Sequence, residues 1–140
     1  QEYCKFLYEK KMGTSPVNNV VVSGLGLSLV HEFLTGQALE PARVSELLTE
    51  KSETLHWMAR FYGRACRNYA LHALALGGVY ISGGVAARVP DLVTDDEFSR
   101  EFHRSETMGH LLKNIPVFLN LNEESGLWGG AMAALSLFKK

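Results

Sequence analysis

The segment Gly77-Gly78-Val79-Tyr80-Ile81-Ser82-Gly83-Gly84-Val85-Ala86 constrains this chain more than any other. A short β-prone run stands there between two glycine pairs. A long helix, opening at Ser52-x-x-Leu55 and running to about Leu76, feeds the run, and a further helix restarts near Ala86. Helix, short apolar strand stopped by glycines, and helix again is the pattern of an α/β crossover. Ile115-Pro116-Val117-Phe118-Leu119-Asn120-Leu121 reads as a second strand, with Pro116 at its start or on an edge. Two strands alone do not make a stable sheet, so the other members of a larger sheet are expected outside this chain. The expected class is α/β, rich in helix and poor in strand.

The remaining segments read as helices joined by short turns. Tyr3, Phe6, Leu7 and Tyr8 fall close to helical spacing, in a helix that stops at Gly13 and Pro16. Val20-Val21-Val22 leads into Ser23-Gly24-Leu25-Gly26-Leu27, followed by an apolar stripe of Leu29, Val30, Phe33 and Leu34 that ends at Gly36. Ser23 has the chemistry of a helix cap. Pro41 suits the first turn of a short helix through Leu48. Ala65, Tyr69, Ala70, Ala73 and Leu74 make the later half of the long helix rich in small residues, so burial on several sides is expected there. Residues 89–114 are polar, helical or irregular, and a last helix opens at Ser125 and continues through Ala133, Ala134, Leu135, Leu137 and Phe138.

A formal net charge of -1, with acids and bases interspersed, provides no electrostatic footprint for nucleic acid or an anionic membrane. No apolar run approaches the roughly 18 residues of a membrane span, and a cytoplasmic setting is expected. Cys4 and Cys66 stand far apart without a CxxC and are read as reduced. The chain starts at Gln1 in a helix-like opening, so its true amino terminus is expected to lie upstream or to have been removed. His31, His56, His72, His103 and His110 form no metal-binding spacing and read as surface or core polar residues. Asp95-Asp96-Glu97 could be imagined as a magnesium site, but such runs ordinarily start helices or line solvated loops. Trp57, Phe61 and Tyr62 read as a core stripe before a ligand platform. Arg60, Arg64 and Arg67 share helical spacing and read as an exposed basic face or an interface before a phosphate site.

The chemistry is sought in three glycine-rich junctions, each at the start of an expected helix. Glycine lets backbone amides approach a ligand, and a helix amino terminus favours negative groups, which suits a nucleotide. For Gly24 and Gly26, and for Gly126, Gly129 and Gly130, the local pattern reads first as a turn with close helix packing. For Ser82-Gly83-Gly84 nucleotide contact and a structural turn stand side by side, because ligands of α/β folds sit beyond the carboxyl ends of strands. Neither GxxxxGK[ST] nor GxGxxG occurs at these junctions, so neither a P-loop nor a Rossmann fingerprint is claimed.

Four successive landmarks carry a resemblance. They are Val22 to Leu27, the helix Gly63-Arg64-Ala65-Cys66-Arg67-Asn68-Tyr69-Ala70-Leu71, the strand and turn Gly77 to Val85, and Ser125-Gly126-Leu127-Trp128-Gly129-Gly130-Ala131. In order and spacing the chain resembles the carboxyl-terminal portion of bacterial glucokinases, with their SGPGL helix start, GRxxxNLAL helix, GGVxIxGGI adenosine motif and GLxGxGA helix. Leu25 stands where that family has proline, Tyr69 where it has leucine, and Ala131 follows a Gly129-Gly130 pair.

The resemblance implies the actin- and hexokinase-type, ribonuclease H-like ATPase fold, with residues 1–140 forming the carboxyl-terminal part of the larger domain on its nucleotide side. It implies an intact parent that transfers the γ-phosphoryl group of ATP to the 6-hydroxyl of glucose, in glycolysis, with Mg2+. By the same resemblance Ser23 and Gly24 border the phosphates, Gly83 and Gly84 approach the adenosine, and Gly129 packs beside the same nucleotide. No catalytic residue is expected in this chain, since the family's DxGGT loop, Asn-Asp pair and Glu-x-x-His motif lie upstream of the matching part. The chain alone is therefore expected to be inactive; members of that family commonly dimerise, which makes a homodimer one candidate assembly and leaves the oligomeric state open. Two rival readings are a noncatalytic nucleotide- or sugar-sensing module and an interaction domain whose glycine turns bind nothing.

Overall fold

In the computed structural model, which describes residues 1–10 and 18–138, one helix organises the rest. It is α5 (Glu53–Ala73), the longest element, preceded by α1 (Glu2–Lys10), α2 (Asn18–Val21), α3 (Gly24–Thr35) and α4 (Pro41–Leu47). After it come β1 (Val79–Ile81), α6 (Gly84–Arg88), α7 (Asp91–Thr94), α8 (Asp96–His103), α9 (Gly109–Leu112), β2 (Val117–Leu119) and α10 (Ser125–Phe138). The chain is a helix-rich α/β structure with few strands. The helix stop expected at Gly13 and Pro16 lies outside the described residues.

The two ends of α5 serve two cores. Leu55 and Met58 join Tyr3, Leu7, Leu27, Val30 and Val44 in the first. Ala59, Cys66 and Ala70 join Ile81, Phe98, Phe102, Leu112 and Ile115 in the second. Helix α8 lies along α5. The close approach falls at Gly63, where a Cβ atom would stand 2.4 Å from the carbonyl oxygen of Phe98.

Burial of the later half of α5 on several sides is corrected by the structure. Ala65, Cys66 and Ala70 are buried, but Tyr69 is 63% exposed and Leu74 58%. Helix α8 covers one side of the helix, and Tyr69 and Leu74 lie exposed on the other. The helix also ends earlier than expected, at Ala73. Leu74 turns into the left-handed region at φ 46°, and the amide of Ala75 donates to the carbonyl of Ala70 at 2.9 Å.

The strands pair in parallel, Val79 with Val117, Tyr80 with Phe118 and Ile81 with Leu119. Their connection runs through α6 to α9, as a parallel pair requires. Pro116 immediately precedes β2, where its missing N–H costs no ladder bond and its carbonyl accepts from Val79 at 2.9 Å. Side chains alternate across the pair. Ile81 is buried on the helix side, with Val79, Val117 and Leu119 against the same core. Tyr80 and Phe118 stack on the other face, 4.8 Å between ring centroids, and that face is bare. Helix α10 buries none of its residues.

Candidate functional site

The carboxyl ends of β1 and β2 open onto a shared exposed junction. After Ile81 the chain turns through Ser82, Gly83 and Gly84 into α6. Gly83 holds φ 122° and ψ 160°, backbone that an L side chain rarely adopts, so any other residue there would be strained. A Cβ at Gly83 or Gly84 would meet nothing within 4 Å. Among the described residues the space beside these two glycines is open.

Asn120 holds the junction together. Its amide N–H donates to the Ile81 carbonyl at 2.8 Å, extending the ladder by one bond. Its Nδ2 donates to Ser82 Oγ at 3.3 Å and to Ser125 Oγ at 2.8 Å, while Oδ1 accepts from the Asn122 amide at 3.0 Å. The start of α10 is thereby tied to the turn after β1. Gly129 stands four residues after Ser125, on the same helix face, and a Cβ there would also meet nothing within 4 Å. Asn120 was missed from sequence because an asparagine at a strand end carries no motif. Its position at the carboxyl edge of the second strand, where α/β ligands gather, was the available signal.

Ser23 and Gly24 lie elsewhere, at the head of α3. Ser23 is extended at φ -138° and caps the helix, its Oγ accepting from the Gly26 amide at 3.1 Å and donating to the Val20 carbonyl at 2.7 Å. Gly24 faces Pro41 of α4, and a Cβ on Gly26 would stand 2.0 Å from the Val21 carbonyl oxygen. Helix α3 belongs to the first core. Val85, directly after the second glycine pair, packs against that same core.

The other charged and aromatic candidates are engaged in packing. Arg60 Nε donates to Glu97 at 2.6 Å, Arg64 binds Glu101 at 3.2 Å, and Arg67 donates to the carbonyls of Glu101 and Arg104 at 3.2 and 2.7 Å. These arginines bind α8 and its end. Burial pushes the Glu101 carboxyl up, but hydrogen bonds and charge from Arg104 and Arg64 outweigh it and hold the group below the usual glutamate range. Asp95 caps α8 through the Glu97 amide at 2.8 Å and takes His56 Nδ1 at 2.7 Å. Trp57 and Phe61 join Tyr3 and Phe33 in one aromatic cluster. Among the described residues no group of three or more His, Cys, Asp or Glu is placed to hold a metal ion. Among them, too, no helix is long and apolar enough to cross a membrane.

Comparison with known proteins adds a family to this geometry. The glucokinase family model matches residues 2–137. A glucokinase of Nostoc punctiforme is 30% identical over 148 residues, an alignment covering 84% of this chain and 43% of that protein. The glucokinase of Neisseria meningitidis is 36% identical over 124 residues, covering 80% and 38%. That of Trichormus variabilis is 38% identical over 104 residues, covering 73% and 30%. The chain thus spans less than half the length of each of these relatives.

Proposed function

The chain belongs to the glucokinase family, and on that premise we propose that the whole protein transfers the γ-phosphoryl group of ATP to the 6-hydroxyl of glucose. In this reading residues 1–140 are the carboxyl-terminal part of the larger domain of a ribonuclease H-like ATPase fold, on its nucleotide side. The observation that carries it is the junction of Ser82-Gly83-Gly84 with the head of α10. Parallel strands end there, the backbone is unshielded, and two helices start.

Gly83 and Gly84 approach the adenosine, Gly129 lies beside it, and Ser23 and Gly24 border the phosphates. Ser23 acts through its backbone and the capped turn, since its hydroxyl is already bonded on both sides. Phosphoryl transfer needs a base at the sugar hydroxyl and the phosphate held in line. The DxGGT loop and the Asn-Asp pair do not occur in these residues, so the base comes from outside them and the chain alone is inactive. The described side chains do not fit a Mg2+ site either, and no step on this chain runs through the metal. The bare Tyr80–Phe118 face supports a covering layer from outside these residues. We place the protein in the cytoplasm, in glycolysis, as a homodimer.

A second reading is a noncatalytic nucleotide- or sugar-sensing module, since a fold by itself does not fix function. The deciding assay measures ADP release by the protein of the complete reading frame around this chain, with ATP and Mg2+, with and without glucose. Glucose-dependent ADP supports the kinase. ATP binding without any glucose-dependent ADP overturns it in favour of the sensor.

A further inference from the structure

We infer that Asn120 is the positioning residue of the proposed nucleotide-binding junction, the latch that sets the head of α10 against the carboxyl ends of β1 and β2. The inference rests on the nucleotide reading of that junction. Asn120 joins three segments at once: the turn after β1 through Ser82, its own loop through the Asn122 amide, and the first residue of α10 through Ser125. Its backbone is fixed by the bond to Ile81.

Helix α10 has no buried residue, so no core dictates its direction. Its course is set at its start, by the Ser125 amide on the Asn122 carbonyl at 3.2 Å, by the exposed Arg88–Glu123 pair at 3.6 Å, and by the Asn120 carboxamide. Of these, the Asn120 carboxamide alone links the head of α10 to the turn that carries Gly83. Because Gly129 shares a face with Ser125, any rotation of the helix about its start moves Gly129 relative to Gly83 and Gly84. The carboxamide therefore sets the separation of two glycine surfaces proposed to hold one ligand. Aspartate at this position can accept hydrogen bonds from both serine hydroxyls, which retains the latch but adds a negative charge beside an anionic nucleotide.

The test uses the protein of the complete reading frame around this chain with N120A and N120D, reading ATP and adenosine affinity by titration and amide hydrogen exchange at Leu127 and Trp128. N120A is expected to weaken ATP and adenosine binding roughly tenfold, the change that corresponds to about 1.4 kcal/mol. It should also speed exchange at Leu127 and Trp128 while amides of α5 keep their protection. N120D should restore slow exchange and adenosine affinity but not ATP affinity, a split that loss of structure would not produce. Unchanged exchange and unchanged affinity in N120A overturn the inference. If the parent chain binds neither ligand, the nucleotide reading of this chain fails, and exchange alone decides the latch: faster in N120A supports it, unchanged overturns it.

Discussion

Gly63 of α5 faces the carbonyl oxygen of Phe98 in α8 so closely that an added Cβ would stand 2.4 Å from it. The obstacle is backbone, which cannot rotate away as a side chain can. Alanine at 63 improves helix propensity by about 1 kcal/mol, but it forces α8 off α5. Gly63→Ala is expected to lose about 2 kcal/mol net, read as a lower urea midpoint with an unchanged slope.

The contact between α5 and α8 is also acid-sensitive. Arginines 64 and 104 hold the buried Glu101 carboxyl below its ordinary range, and Arg60, with Arg100, does the same for Glu97. A carboxylate whose folded pKa is depressed adds stability that is fully present above its unfolded value, near 4.3, and is lost as pH falls through the folded value. The urea midpoint of the parent should therefore drop from pH 5 toward pH 3. Glu101→Gln should start lower at neutral pH and fall less steeply; a parallel fall in both proteins would remove Glu101 from this role.

The two glycines after β1 should separate when replaced. Gly83 sits at φ 122°, so Gly83→Ala is expected to destabilise by about 1 kcal/mol through strain. Gly84 has ordinary backbone and open space, so Gly84→Val should leave the melting temperature nearly unchanged while blocking approach to the main chain. Titration with ATP should show at least tenfold weaker binding for Gly84→Val, a loss of about 1.4 kcal/mol. Equal affinity would argue that this turn is structural only.

The two thiols should react in sequence. Cys4 is exposed, whereas Cys66 is buried and its thiol is pushed up to about 11 by burial. A thiol-disulfide reagent at pH 8 is expected to modify one cysteine per chain rapidly in the folded protein and two in urea. Rapid reaction of both without denaturant would contradict the packing of α5 against the second core.

Local features were legible in the sequence because they depend on residues a few positions apart. Ser23 caps α3 as its hydroxyl and spacing suggest, Gly36 ends that helix at φ 74°, and Pro41 opens α4. The run between the glycine pairs became β1, and Pro116 stands at the head of β2. The end of α5 was misplaced by three residues, since Leu74 itself turned left-handed and no glycine marked the stop.

By itself, then, the sequence determined the long helix, the two strands, the helix starts at Ser23, Pro41 and Ser125, and the family, since four motifs in fixed order survive without any knowledge of how they pack. Only the tertiary structure decided which partners the side chains meet. The three arginines of α5 face α8 because residues 34 to 37 positions further along the chain return to that side. Asn120 reaches Ser82 across 38 positions, a bond that exists only once the two strands have paired. Such long-range choices are made by burying one face of each element, and that energy belongs to the assembled core and to no single segment.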